Sequence, residues 1–188
     1  MPGDAPDPHP PRSLLREQLI ADRERFVAGP EASSAQAALA AHLDAVLTQL
    51  EPECLGSYWP IRSEFTPSLL HFAPQGLALP YARRQPRTME YRRWDGRPPT
   101  VRDECGIATS SGEPVHPDVV LVPCVGYTDA LYRLGYGAGY FDAWLAQHPE
   151  VVAVGVAWSI GRLDASAFRP GAHDVALNLI VTEQGVIS

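Results

Sequence analysis

A run of β-branched and apolar residues, Val119-Val-Leu-Val-Pro-Cys-Val-Gly126, is followed closely by Arg133-Leu-Gly-Tyr-Gly-Ala-Gly-Tyr-Phe-Asp142. The first segment reads as a buried strand and the second as a glycine-rich turn that opens a helix. Two further runs, Val151-Val-Ala-Val-Gly-Val-Ala-Trp158 and Val175 to Thr182, have the same nearly continuous apolar character. Strands of that kind alternating with helices predict an α/β fold whose sheet is parallel and covered on both faces.

The glycine turn narrows the chemistry. Backbone N–H groups at a strand–turn–helix junction can face an anion, Arg133 adds a positive charge, and Asp142 supplies a carboxylate suited to Mg²⁺ beside phosphate oxygens. A P-loop needs a lysine, and all 15 basic residues here are arginine. The dinucleotide fingerprint is G-x-G-x-x-G, whereas Gly135, Gly137 and Gly139 give G-x-G-x-G. On spacing alone, a phosphate loop and a turn that uses glycine only for its positive φ remain open.

The length of 188 residues suits one domain burying roughly 70% of its unfolded surface. A formal charge of −7 argues against a nucleic-acid surface. The apolar runs are too short to span a bilayer, and no export signal opens the chain. Cys54, Cys105 and Cys124 are far apart and include no C-x-x-C; the apolar surroundings of Cys54 and Cys124 predict reduced, buried thiols in a cytoplasmic protein. The histidines have no zinc-ligand spacing.

Residues 1–11, rich in proline, read as a disordered tail, with a single domain over 12–188. Ser13 is placed as the N-cap of a helix to about Val27, with Arg12 and Arg16 on one side and Arg23 and Arg25 following on what reads as a solvated face. After Gly29-Pro30, Glu31 to Leu50 reads as an amphipathic helix. Cys54 to Trp59 is a predicted strand, with Arg62 and Glu64 just beyond its carboxyl end. Thr66-Pro67 should start a short helix to about Phe72. Leu77 to Leu79 and Thr88 to Trp94 are predicted strands, Arg97 to Pro117 mostly loop, and the helix after the glycine turn runs from about Ala138 to Gln147.

These residues resemble the 5-formyltetrahydrofolate cyclo-ligase family, also called 5,10-methenyltetrahydrofolate synthetases. The hallmark is a strand ending in Val-Pro, then Arg-Leu-Gly-Tyr-Gly-Gly-Gly-Tyr-Tyr-Asp; here it stands as Leu121-Val-Pro123 and Arg133 to Asp142. Arg12-x-x-Leu15-Arg16, Tyr58-Trp-Pro60 with Glu64, Leu79-Pro80, Gly106-Ile107, His173-Asp174 and Ile180-Val-Thr-Glu183 follow in the family order. The departures are Arg12 for lysine, Ala138 for the middle glycine, Phe141 for the second tyrosine, and Asn178 where aspartate is common.

The resemblance implies a three-layer α/β/α, Rossmann-like domain with a mainly parallel sheet, MgATP as co-substrate and a reduced folate as substrate. ATP would be held by Arg12, Ser13, Leu14, Leu15 and Arg16 together with Arg133, Leu134, Gly135, Tyr136, Gly137, Ala138, Gly139, Tyr140 and Phe141. The folate would meet Trp59, Glu64 and the segment from Tyr136 to Tyr140, and Mg²⁺ would take Asp142 and Asp174. Arg133, Glu64 and Tyr140 are the implied catalytic groups. In the family reaction the N5-formyl oxygen attacks the γ-phosphorus of ATP, giving ADP and an N5-iminium phosphate; attack by N10 and loss of phosphate then close the methenyl bridge. The picture is a cytoplasmic, monomeric enzyme without nucleic-acid or membrane partners. Arg83, Arg84, Arg87, Arg92 and Arg93 form either a solvated face or an attractor for a polyglutamate tail. Two other classes stay open: a non-catalytic folate- or nucleotide-binding paralogue, and a phosphosugar isomerase or transferase of similar fold.

Overall fold

The computed structural model describes residues 10–73, 76–164 and 166–188, so most of the expected N-terminal tail lies outside the described residues. In chain order the elements are α1 (Arg12–Val27), α2 (Ala32–Leu50), β1 (Leu55–Gly56), β2 (Leu77–Arg84), β3 (Arg87–Trp94), β4 (Val101–Arg102), β5 (Ala108–Thr109) and β6 (Pro114–Val115). They continue with β7 (Val119–Pro123), β8 (Gly126–Tyr127), β9 (Arg133–Leu134), α3 (Tyr140–Gln147), β10 (Val152–Val156), β11 (Leu179–Thr182) and β12 (Gly185–Ile187). Short 3-10 turns occupy Leu70–Phe72 and Ser159–Gly161.

The main sheet has the order β12-β11-β10-β7-β1-β2-β3-β6. Its centre, β2-β1-β7-β10-β11, is parallel, and the strands added at the two edges are antiparallel. The two-residue side-chain period of a strand splits β7 between two cores. Val119 and Leu121 face α2, whose buried Leu39, Leu43 and Leu47 recur at helical spacing; Val120 and Val122 face α3 through Trp144 and Leu145. Leu39 and Leu47, fully buried, each contribute about 2 kcal/mol from removal of apolar surface. The three-layer α/β expectation is met. A third cluster, around Leu19, Ile20, Leu134 and Phe168, docks α1 against the separate two-stranded β8–β9 ribbon.

Several boundaries differ from the sequence expectation. The first helix begins at Arg12, after an extended Pro11, and Ser13 makes no capping hydrogen bond. The helix expected over Thr66 to Phe72 shrinks to one 3-10 turn, because Phe65, Leu69 and Phe72 are all drawn into the core beneath α2. Cys124 is buried as expected, whereas Cys54 is only partly so. The strand at Leu77 continues through Pro80 to Arg84. Pro80 accepts the Thr109 hydroxyl on the side away from β3, so its nitrogen, which has no proton to donate, also faces away from the β3 ladder. That open side of β2 is covered by residues 103–109, where the buried Asp103 carboxylate accepts the N–H groups of Ala82, Cys105 and Ile107.

Candidate functional site

At the carboxyl end of β7 the chain folds back through β8 and β9 and enters the turn 135–139 ahead of α3. Gly137 and Gly139 have φ of 96° and 69°, a region that glycine occupies at little cost. Ala138 is not among the positive-φ residues, so its methyl group does not obstruct the turn. The turn is braced from two directions. Arg16 donates through Nε to the Gly135 carbonyl at 2.6 Å, and Arg87 donates to the Ala138 carbonyl at 3.1 Å. Arg16 lies so close that a Cβ on Gly137 would sit 3.2 Å from the guanidinium carbon.

Arg133, only 6% exposed, anchors the base of the turn. Its guanidinium pairs with Asp142 Oδ1 at 2.9 Å and donates to the Val175 carbonyl at 3.2 Å. Asp142, in the first turn of α3, accepts the Val175 N–H through the same oxygen, which leaves Oδ2 as the oxygen able to take a cation. Arg12 makes a two-bonded contact to Asp174, at 2.6 and 3.2 Å, and donates to the Arg169 carbonyl while covering the Phe168 ring. The hydrogen bond to Asp174 raises the Arg12 pKa further. Burial works to raise Asp174, but Arg12 and the Gly171 N–H outweigh it and hold the carboxyl below its ordinary value.

These groups line one cavity of about 340 Å³, closed on the other side by Pro80, Ala82 and Met89 of the β2–β3 hairpin. Of the residues expected at ATP, it brings together Arg12, Arg16 and the whole of 133–141; both expected magnesium ligands, Asp142 and Asp174, also face it. Ser13 and Leu14 point outward, and Leu15 packs with the third core cluster. Among the described residues no cluster of three or more His, Cys, Asp or Glu exists. Two carboxylates in a phosphate-sized cleft still fit Mg²⁺, which keeps several waters and takes one or two carboxylates plus phosphate oxygens.

The residues expected at the folate divide. Tyr136 to Tyr140 line the cavity, while Trp59 and Glu64 do not. The Tyr140 hydroxyl donates to the Arg83 carbonyl at 3.1 Å and accepts from the Cys105 thiol at 3.3 Å, so its ring is the part open to a ligand. Trp59 stands edge-on against Trp94 with centroids 6.2 Å apart. Glu64 lies beneath the turn in a crevice with Arg23 and Cys124, and accepts the Ile61 N–H at 2.9 Å. Burial pushes its carboxyl up to about 7, against the opposing pull of the Ile61 N–H, Arg23 and Tyr136. On the hairpin, Arg83 and Arg92 are both held by Glu90 and Arg87 by the turn, while Arg84 and Arg87 remain exposed to solvent.

Two residues were missed at the sequence level. Arg87 was grouped only with the hairpin arginines, because its partner in the turn is distant in sequence. Arg12, Arg16, Leu19 and Arg23 do recur at intervals of four, three and four on one side of a helix, but nothing local separates a buried Arg23 from a solvated one. It is buried, not solvated.

No protein-family model matches the sequence. Over 77 residues the chain is 36% identical to a 5-formyltetrahydrofolate cyclo-ligase of Mycoplasma pneumoniae, a stretch covering 40% of this chain and 45% of that relative. The match thus spans less than half the length of the curated relative. A solved 5,10-methenyltetrahydrofolate synthetase of Mycoplasma pneumoniae superposes with a TM-score of 0.73 at 23% identity, covering 92% of this chain and 98% of that one. The Aquifex aeolicus 5,10-methenyltetrahydrofolate synthetase gives a TM-score of 0.71 at 25% identity over 93% and 91%. The chain has the fold of these synthetases across nearly its whole length.

Proposed function

We propose that the chain is an ATP-dependent 5-formyltetrahydrofolate cyclo-ligase, converting 5-formyltetrahydrofolate to 5,10-methenyltetrahydrofolate with release of ADP and phosphate. The observation that carries this is the convergence of Arg12, Arg16, Arg133, Asp142 and Asp174 with the glycine turn on one cavity of a synthetase fold.

The protein's part is positioning and charge neutralisation. Arg133, fixed by Asp142 and Val175, presents a guanidinium that need not reorganise as charge develops on the transferring phosphoryl group. The turn amides and Arg16 complete the cradle. Asp142 and Asp174 would hold Mg²⁺, which when bound neutralises phosphate charge. The N5-formyl oxygen attacks the γ-phosphorus to give the N5-iminium phosphate, and N10 then displaces phosphate. Glu64 takes N–H groups of the pterin and orients the formyl group, and Tyr140 offers its ring face. The free thiols Cys54, Cys105 and Cys124 suit a reducing cytoplasm.

A second reading, a folate- or nucleotide-binding relative without turnover, is favoured by one observation: Arg12 occupies both oxygens of Asp174. One assay separates the two. Mixed with 5-formyltetrahydrofolate and MgATP, the protein should generate the near-ultraviolet absorption of the conjugated methenyl product, dependent on ATP. Tight folate binding without that absorption selects the second reading, and neither signal rejects both.

A further inference from the structure

Arg23 is, at 2% exposure, the least exposed charged side chain among the described residues. Its hydrogen-bond partners there are all neutral: Ser63 Oγ at 3.1 Å, the Cys124 carbonyl at 3.5 Å, and the Tyr136 hydroxyl. A buried guanidinium satisfied only by neutral acceptors is expensive, and such a charge needs an anion near it. The acidic group near it is Glu64, which lines the same narrow crevice together with Cys124, Val156 and Trp158. Arg23 therefore touches three separate stretches of chain: Ser63 beside Glu64, the exit of β7 at Cys124, and Tyr136 inside the glycine turn.

We infer that Arg23 is a positioning residue for the proposed reaction: from α1 it anchors the Tyr136 hydroxyl and faces the Glu64 carboxyl, so that the phosphate turn and the folate carboxyl are set as one unit. The inference rests on the cyclo-ligase reading for its catalytic consequence, but its geometry stands apart from it. The groups facing Glu64 are Arg23 from α1, Tyr136 from the turn, Tyr58 following β1, and the Cys124 thiol following β7. Tyr58 is spoken for, donating its hydroxyl to the Phe65 carbonyl at 2.8 Å. Of these four groups Arg23 is the lone cation, and with the Ile61 N–H and Tyr136 it favours the ionised carboxyl against burial. Removing it leaves only the Ile61 N–H and Tyr136 to oppose burial, so the carboxyl keeps its proton to higher pH.

The test compares the full chain with Arg23→Met and Arg23→Lys, following the Glu64 carboxyl through its infrared C=O band, assigned by its loss in Glu64→Gln. Arg23→Met should move the midpoint of that band up by about one pH unit, a tenfold rise in proton affinity, while Arg23→Lys keeps it within about threefold. In the methenyl assay the acidic limb of the pH–rate profile should move up by the same amount in Arg23→Met, with KM for the folate rising and KM for ATP changing less. An unmoved infrared midpoint in folded Arg23→Met overturns the inference. If Arg23→Met does not fold, Arg23→Gln carries the same measurement with the same two outcomes. Absence of methenyl formation by the unaltered chain would strike the cyclo-ligase reading alone, since the infrared arm needs no turnover.

Discussion

Two arginines are buried beside the glycine turn, and they are buried differently. Arg133, at the base of the turn, is 6% exposed and has a carboxylate 2.9 Å away, so its charge is met at contact. Arg23, beneath Tyr136, is 2% exposed, and the groups bonded to it are a hydroxyl, a carbonyl and a phenol. The first is an ion pair that holds the base of the turn rigid. The second leaves positive potential in the protein, answered by Glu64 across a crevice. On the proposed cyclo-ligase reading, the side meant for phosphate is electrostatically complete before ligand arrives, and the side meant for folate is poised.

The comparison predicts its largest effect at Arg133. On the proposed reading, Arg133→Met removes the cation meant for the phosphoryl group, and it leaves Asp142 without its partner. Turnover should fall by about 10²–10³-fold, as for loss of one preorganised charge-stabilising donor. Breaking a buried pair from one side should also cost about 3 kcal/mol in stability. Methenyl formation measured below the unfolding transition, and the urea midpoint, read the two effects separately. Turnover within tenfold of the unaltered chain would deny Arg133 its place at the phosphate.

This asymmetry also governs how much could be read in the sequence. Arg133 was legible because its partner sits in the same motif, nine residues on, and because the glycine turn between them has few purposes. The strands β7 and β10 were legible because both of their faces are covered, so nearly every residue is apolar. Arg23 was not, since its three partners lie 40, 101 and 113 residues away and the local signal for a charged helix face is solvation. The hairpin failed similarly. Proline at position 80 argues against a strand interior, and it took the Thr109 contact from the short strand β5 to show which side of β2 was open. The short β12 escaped because its pairing with β11 depends on the turn at Gly185, whose φ of 135° no local pattern announced.

A middle-sized effect belongs to Glu64, and it has a sign. Its folded pKa of about 7 exceeds the ordinary 4.5, so between those values the native state binds more protons than the unfolded chain. Stability contributed by the protonated carboxyl is therefore present below about pH 4.5, falls as pH rises through 7, and stays lost above it. Glu64→Gln cannot ionise and should lose that slope, becoming more stable relative to the unaltered chain by about 1–3 kcal/mol at pH 8 compared with pH 5. Urea titrations at the two pH values check it; parallel pH dependence in both proteins would mean that Glu64 is not the group held protonated by burial.

The smallest effect should come from the third arginine, Arg12, and it sharpens the comparison by lying outside it. Its side chain is 42% exposed, so the charge is largely met by water, and its contacts to Asp174 and Arg169 are those of a fork with two arms. Arg12→Lys keeps the charge but gives up the parallel pair of bonds and the planar cover over Phe168. Exposed pairs contribute about 0–1 kcal/mol, which corresponds to no more than about a fivefold rise in KM for ATP, with kcat nearly unchanged. Initial rates at varied ATP measure it directly. A loss on the scale of Arg133→Met would instead put Arg12 at the transferring phosphate, and the buried guanidinium at the base of the turn would no longer be the cation that distinguishes the nucleotide side.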